Sequence, residues 1–179
     1  MNDDAEPWNL LIIDVLLAIP QNATEQAYYG PYNTILTREF TLEDRFIVAP
    51  QTHPNSREAV DFLIEYLIMV DHRAVLIVEI KRENIFQYES SRIQADLQIQ
   101  DRFFSLHNDS LLSETIGVSI FGRFCRVYRY TRETQTITSD SGNGIHPDRW
   151  NINLYTQQGR AQLANIFEQV RQRVAQELQ

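Results

Sequence analysis

Lys81 is the one lysine among sixteen basic residues, and it ends an apolar run, "VLIVEIKRE" at 75–83. A charged amine at the end of a core strand is costly unless other groups hold it. Glu79 lies two residues before it, so in a strand both side chains project from the same face. A second acid comes from the preceding run, "FLIEYLIMV" at 62–70. If the two runs form a hairpin over a three-residue "DHR" loop, with Val70 facing Ala74, Glu65 falls directly opposite Glu79. Directly opposed residues share a face, with Cβ atoms about 4.5–5.5 Å apart.

Two opposed carboxylates repel and call for a proton, a cation or a metal between them. Lys81 supplies one charge. A hard divalent ion, Mg²⁺ or Mn²⁺, suits the remaining oxygens: Glu65, Glu79, the Ile80 carbonyl and water. Lys81 would then stand beside a metal-bound water, placed to orient it or to stabilise charge developing on a phosphate. The alternative is a structural ion cluster at a sheet end.

These residues need elements to position them. Both hairpin runs are apolar on both faces, which predicts strands in the middle of a covered sheet. Residues 5–19 predict a helix with Trp8, Leu11, Ile12, Val15 and Ile19 as its stripe, ended by Pro20. "QNATEQAYYGPYN" (21–33) reads as a loop, and "TILTREF" and "RFIVAP" read as strands. Residues 89–108 predict a helix with two apolar stripes, Ile93, Leu97 and Phe104, and Ala95, Ile99, Phe103 and Leu106. Gln94, Gln98, Asp101, Arg102 and Ser105 form its polar strip. "TIGVSIF" and "RFCRVYRYTR" predict strands, "QTIT" a hairpin partner, and Thr156 the cap of a last helix over 157–178. The stripe of that helix is Leu163, Ile166, Phe167, Val170 and Val174. We expect one α/β domain over 1–179.

Acid, hairpin, then E-x-K within an αβββαβ order resembles the PD-(D/E)xK, restriction-endonuclease-like superfamily, and within it the fungal-type nuclease-like family. The residues that carry the resemblance are 65–83, "QADLQIQDRF" at 94–103, "IGVSIFGRFCRVYRY" at 116–130 and 149–170. The resemblance implies a mixed central sheet flanked by helices, with a C-terminal β extension and helix. It also implies Mg²⁺-dependent cleavage of DNA or RNA, with Glu79 and Lys81 as the E-x-K pair and Gln98 turned toward the site. The first acid of that family is an aspartate after proline; here the position reads Ile64-Glu65. Asp61 is the substitute first acid, but in an extended strand it lies about 13 Å from Glu65. A non-catalytic interaction module that keeps the fold is the competing reading.

Net charge is −8 at pH 7, which argues against a nonspecific nucleic-acid coat but not against a local basic groove. The arginines and tyrosines of "RFCRVYRYTR" predict either a strand face for backbone and base contacts or a solvated face. The four histidines show no ligand spacing, and the lone Cys125 cannot form an internal disulfide. The acidic start, "MNDDAEPW", is unlike a secretory signal, and the longest apolar stretch is about half a membrane span. We therefore expect an intracellular protein with no membrane partner. A protein partner or a second copy of the chain stays open.

Overall fold

The computed structural model describes residues 6–51 and 64–179. Alternating β-branched and aromatic runs build a mixed, open seven-strand sheet. Its strands are β1 (Ile47–Gln51), β2 (Ile64–Val70), β3 (Arg73–Lys81), β4 (Glu114–Phe121), β5 (Phe124–Thr131), β6 (Thr136–Ser139) and β7 (Ile152–Asn153). Strands β1 to β6 lie in chain order across the sheet, and β7 pairs with β5. Every pairing of these strands is antiparallel except β3 with β4. That parallel step needs a crossover, which α3 (Glu89–Ser105) provides.

Helices cover both faces. The helices α1 (Leu10–Ala18), α2 (Gln26–Glu39) and α4 (Gln157–Glu177) share the larger core with Tyr66, Ile68, Leu76, Val78, Ile80 and Val118. On the other face, Ile99 and Phe103 of α3 pack with Leu67, Ile77, Tyr128 and Tyr130. Gly117 of β4 lets α3 press close, because only a residue without a Cβ fits there. A Cβ at that position would stand 2.7 Å from the Phe103 ring. The central strands are covered on both sides, as their two-faced apolarity predicts; β3 is buried from Ala74 to Lys81.

Several expectations are corrected. Residues 26–39 form α2, not a loop followed by a strand, with Pro31 buried inside the helix. Tyr28, Tyr32, Ile35 and Leu36 recur at i, i+4, i+7 and i+8, and burying that stripe outweighs the breaking tendency of Gly30 and Pro31. Helix α1 buries Ile13 and Leu16, while Leu11 and Val15 are exposed; its run is so evenly apolar that periodicity carries no phase. The stripe Ile93, Leu97 and Phe104 of α3 is exposed, and only the stripe through Ala95, Ile99 and Phe103 packs on the sheet. Arg126, Tyr128 and Tyr130 are neither a binding face nor a solvated one, because α3 covers them and all three are buried. The Arg126 guanidinium donates to Asp96 and to the Gly142 and Gly144 carbonyls, which ties the 140–149 loop to the sheet.

The last helix forms as expected. The Thr156 hydroxyl accepts from the Gly159 amide at 3.0 Å, and Leu163, Ile166, Phe167, Val170 and Val174 are all buried. Thr156→Ala is expected to cost about 1 kcal/mol. Calorimetric melting would read this as a drop of about 2–4 °C.

Candidate active site

The hairpin carrying the acids turns more tightly than "DHR" suggests. Asp71 and His72 both take positive φ, 50° and 63°. They make a two-residue turn of the kind that matches strand twist. Val70 therefore pairs with Arg73, not with Ala74. A register shift between Ile68 and Met69 then leaves Val75 as an extra residue on β3. The bulge restores the pairing, and Glu65 stands directly opposite Glu79. The expected opposition is present, reached through a turn and a bulge instead of a longer loop.

Register extends this pair across the sheet. Glu65, Glu79, Ser119 and Arg126 are successive partners on β2, β3, β4 and β5, and so share the face beneath α3. The next row toward the end of β3 is Lys81, Phe121 and Phe124. Glu65 and Glu79 are each 1% exposed and Lys81 is 3% exposed.

Helix α3 crosses this polar row. At one end Asp96 accepts from the Tyr128 hydroxyl and from Arg126. At the other end Arg102 donates through Nε, at 2.8 Å, to Glu65 Oε1, and its Nη2 lies 2.8 Å from the same oxygen. Gln98 is three residues from Ala95, which clusters with Phe121, and four from Arg102, so these side chains are helix-surface neighbours. The Gln98 Oε1 is buried with no hydrogen-bond partner among the described residues. The sequence assigns Arg102 no role beyond the polar strip, yet the signal is there: it stands one turn from Gln98.

The electrostatics are those of two acids held by two cations. Burial pushes the Glu79 carboxyl up to about 8; Lys81 opposes the shift, Glu65 adds to it and Arg102 opposes it. Glu79 Oε2 is buried with no hydrogen-bond partner among the described residues. An acceptor oxygen enclosed in this way invites a proton or a hard cation.

Mg²⁺ is commonly held by one or two carboxylates and keeps several waters, so the paired acids with the orphaned Glu79 oxygen fit such an ion. Among the described residues, no group of three or more His, Cys, Asp or Glu side chains could hold a metal. Asp61, the other candidate first acid, lies outside the described residues. Among those residues, no helix is long and apolar enough to cross a membrane. Compared with protein-family models, with curated proteins and with solved structures, the chain matches none.

Proposed function

We propose that Glu65, Glu79 and Lys81 form a phosphodiester-hydrolysing centre of PD-(D/E)xK type, acting on DNA or RNA with Mg²⁺ or Mn²⁺. One observation carries the reading: directly opposed carboxylates share a face with a buried lysine, and Glu79 Oε2 is enclosed without a partner among the described residues. Glu65, Glu79 and the Ile80 carbonyl would hold the ion, which supplies Lewis-acid polarisation of a phosphate and a more acidic bound water. Lys81 places a compact positive charge where negative charge builds on the phosphate oxygens. Gln98 offers an acceptor oxygen and an amide donor to orient the attacking water. Arg102 holds Glu65 in place from α3.

A second reading is favoured by that same contact. Arg102 already engages Glu65, one of the two acids a metal would need, which suits an interaction module that retains an ion cluster. Metal binding separates the two. Metal must displace a proton from Glu79, so affinity should rise about tenfold per pH unit on approaching pH 8 and level off above it. Isothermal calorimetry with Mn²⁺ at pH 6, 7 and 8 should show this trend, and Glu79→Ala should abolish it. At a hundredfold excess over Kd the ion should stabilise the fold by about 2.7 kcal/mol. No heat and no stabilisation at millimolar metal would favour the module.

A further inference from the structure

Helix α3 carries a second apolar line that the sheet does not use. Ile93, Leu97, Gln100 and Phe104 follow one another at steps of four, three and four residues, the spacing of a coiled-coil seam. The line runs ~16 Å along the helix. Ile93 is 42%, Leu97 54% and Phe104 50% exposed. Single exposed apolar side chains are ordinary, but a row of them along one helix marks an interaction surface. We propose that this outer face of α3 docks a basic amphipathic helix of a partner protein. The proposal stands apart from the phosphodiester reading, because none of these residues belongs to the metal site.

Charge identifies the occupant. In the heptad set by that seam, Glu89 and Asp96 take the g position and Asp101 takes e, the positions that choose a partner helix. Asp96 already accepts from Arg126 and from the Tyr128 hydroxyl, so Glu89 and Asp101 carry the charge left for a partner. Both are exposed, and no ion pair holds either among the described residues. The two arginines of the helix are turned away. Arg92 donates to the Ile145 carbonyl at 2.8 Å and to the Phe86 carbonyl at 2.6 Å, and Arg102 reaches Glu65. The helix therefore shows its outer face as an apolar seam with acids on both sides and no base of its own.

That pattern excludes the other occupants. A second copy would bring acid against acid at e and g, with a net charge of −8 on each chain. An anionic lipid surface and a nucleic-acid backbone are repelled in the same way. A helix with lysine or arginine beside a leucine seam matches both features, apolar side chain on apolar side chain and base on acid. The aromatic anchor for it is already held in place. The Phe104 ring stands edge-on to the buried Tyr130 ring, with centroids 5.7 Å apart and planes at 81°, and His107 Nδ1 lies 2.7 Å from the Tyr130 hydroxyl. An anchor ordered before binding loses little freedom when it is covered.

The test uses the full chain in EDTA, so that metal plays no part. Three fluorescein-labelled peptides of about three heptads share one leucine seam and carry Lys, Gln or Glu at e and g. A fourth has the composition of the Lys peptide in scrambled order. Fluorescence anisotropy should show binding of the Lys peptide, binding about tenfold weaker of the Gln peptide, and none of the Glu or scrambled peptide. Leu97→Ala and Phe104→Ala, both at exposed positions, should each weaken the Lys peptide about tenfold or more. Glu89→Gln with Asp101→Asn should reduce it to the level of the Gln peptide. Absence of Lys-peptide binding, equal binding of the scrambled peptide, or binding that Leu97→Ala leaves unchanged would overturn the proposal. A dimer of the chain in sedimentation that Leu97→Ala dissolves would give the face to a second copy and overturn it as well, as would adhesion to vesicles of anionic lipid lost in that variant. Mn²⁺ binding at Glu79 should be the same in Leu97→Ala as in the parent, so failure of either reading leaves the other standing.

Discussion

Arg102→Ala should destabilise the protein by about 3 kcal/mol near neutral pH, at the lower end of the cost of breaking a buried ion pair. The guanidinium makes two close contacts with a Glu65 carboxylate that is 1% exposed and faces a second acid. Removing one partner of a buried pair leaves an uncompensated charge, which costs ~3–5 kcal/mol. The lower end applies because the Arg102 side chain is 20% exposed. The same substitution should tighten metal binding, since arginine and a divalent ion compete for one carboxylate. Urea unfolding with and without Mg²⁺ reads both effects. The ion should restore most of the lost stability in the variant and add less to the parent. A variant that is destabilised but gains nothing from metal would mark Glu65 as a structural anion only.

Glu79→Gln should reverse the usual sense of a buried-charge substitution and stabilise the protein above neutral pH. The carboxyl is raised from 4.5 to about 8 in the folded chain, chiefly by burial. Between those values the unfolded chain has released the proton and the folded chain still holds it. The unfolded state thus binds fewer protons, and stability falls as pH rises from about 4.5 to about 8. Above pH 8 the full penalty is present. Each pH unit between the two values corresponds to ~1.4 kcal/mol, so the gain in Glu79→Gln should be on the order of a few kcal/mol at pH 9 and should vanish near pH 4. Carboxylates lowered by arginine, such as Glu6 and Glu114, slope the other way in both proteins, so the difference between the two curves isolates Glu79. Equal stability of the two proteins from pH 5 to 9 would contradict the burial of this carboxyl as a cost to the fold.

Much of this arrangement was legible in the residues, and the failures have physical causes. Strand parity placed Glu79 and Lys81 together, and it needed only that β3 be extended. The opposition of Glu65 to Glu79 was reached from a turn that does not form; the bulge at Val75 compensates by one residue. Such a compensation leaves no trace in an apolar run, where any register buries equally well. Helix α4 was legible because its stripe is strict and Thr156 marks its start. Helix α2 was not, because Gly30 and Pro31, set among tyrosines, speak locally against a helix that tertiary burial stabilises. The exposed stripe Ile93, Leu97 and Phe104 shows the opposite failure: helical spacing of apolar residues does not tell which of two stripes meets the sheet. Arg126 read as a surface cation because its partner, Asp96, is thirty residues away in the chain. Arg102 went unassigned for the same reason: it meets Glu65 only once α3 crosses the sheet.

Cleavage is the decisive measurement. Single-stranded and duplex DNA and RNA would be incubated with the purified chain in Mg²⁺ or Mn²⁺, beside Lys81→Ala and Lys81→Arg prepared identically. The expected result is metal-dependent cleavage that EDTA stops. Lys81→Ala should lower it by about 10²–10³-fold, the typical loss when one preorganised charge-stabilising donor is removed. Lys81→Arg should lose most of it as well, because the planar fork of arginine cannot replace a compact ammonium in a site 3% exposed. No cleavage of any of these substrates by the parent protein, or equal cleavage by Lys81→Arg, would contradict a phosphodiester-hydrolysing centre built on Lys81.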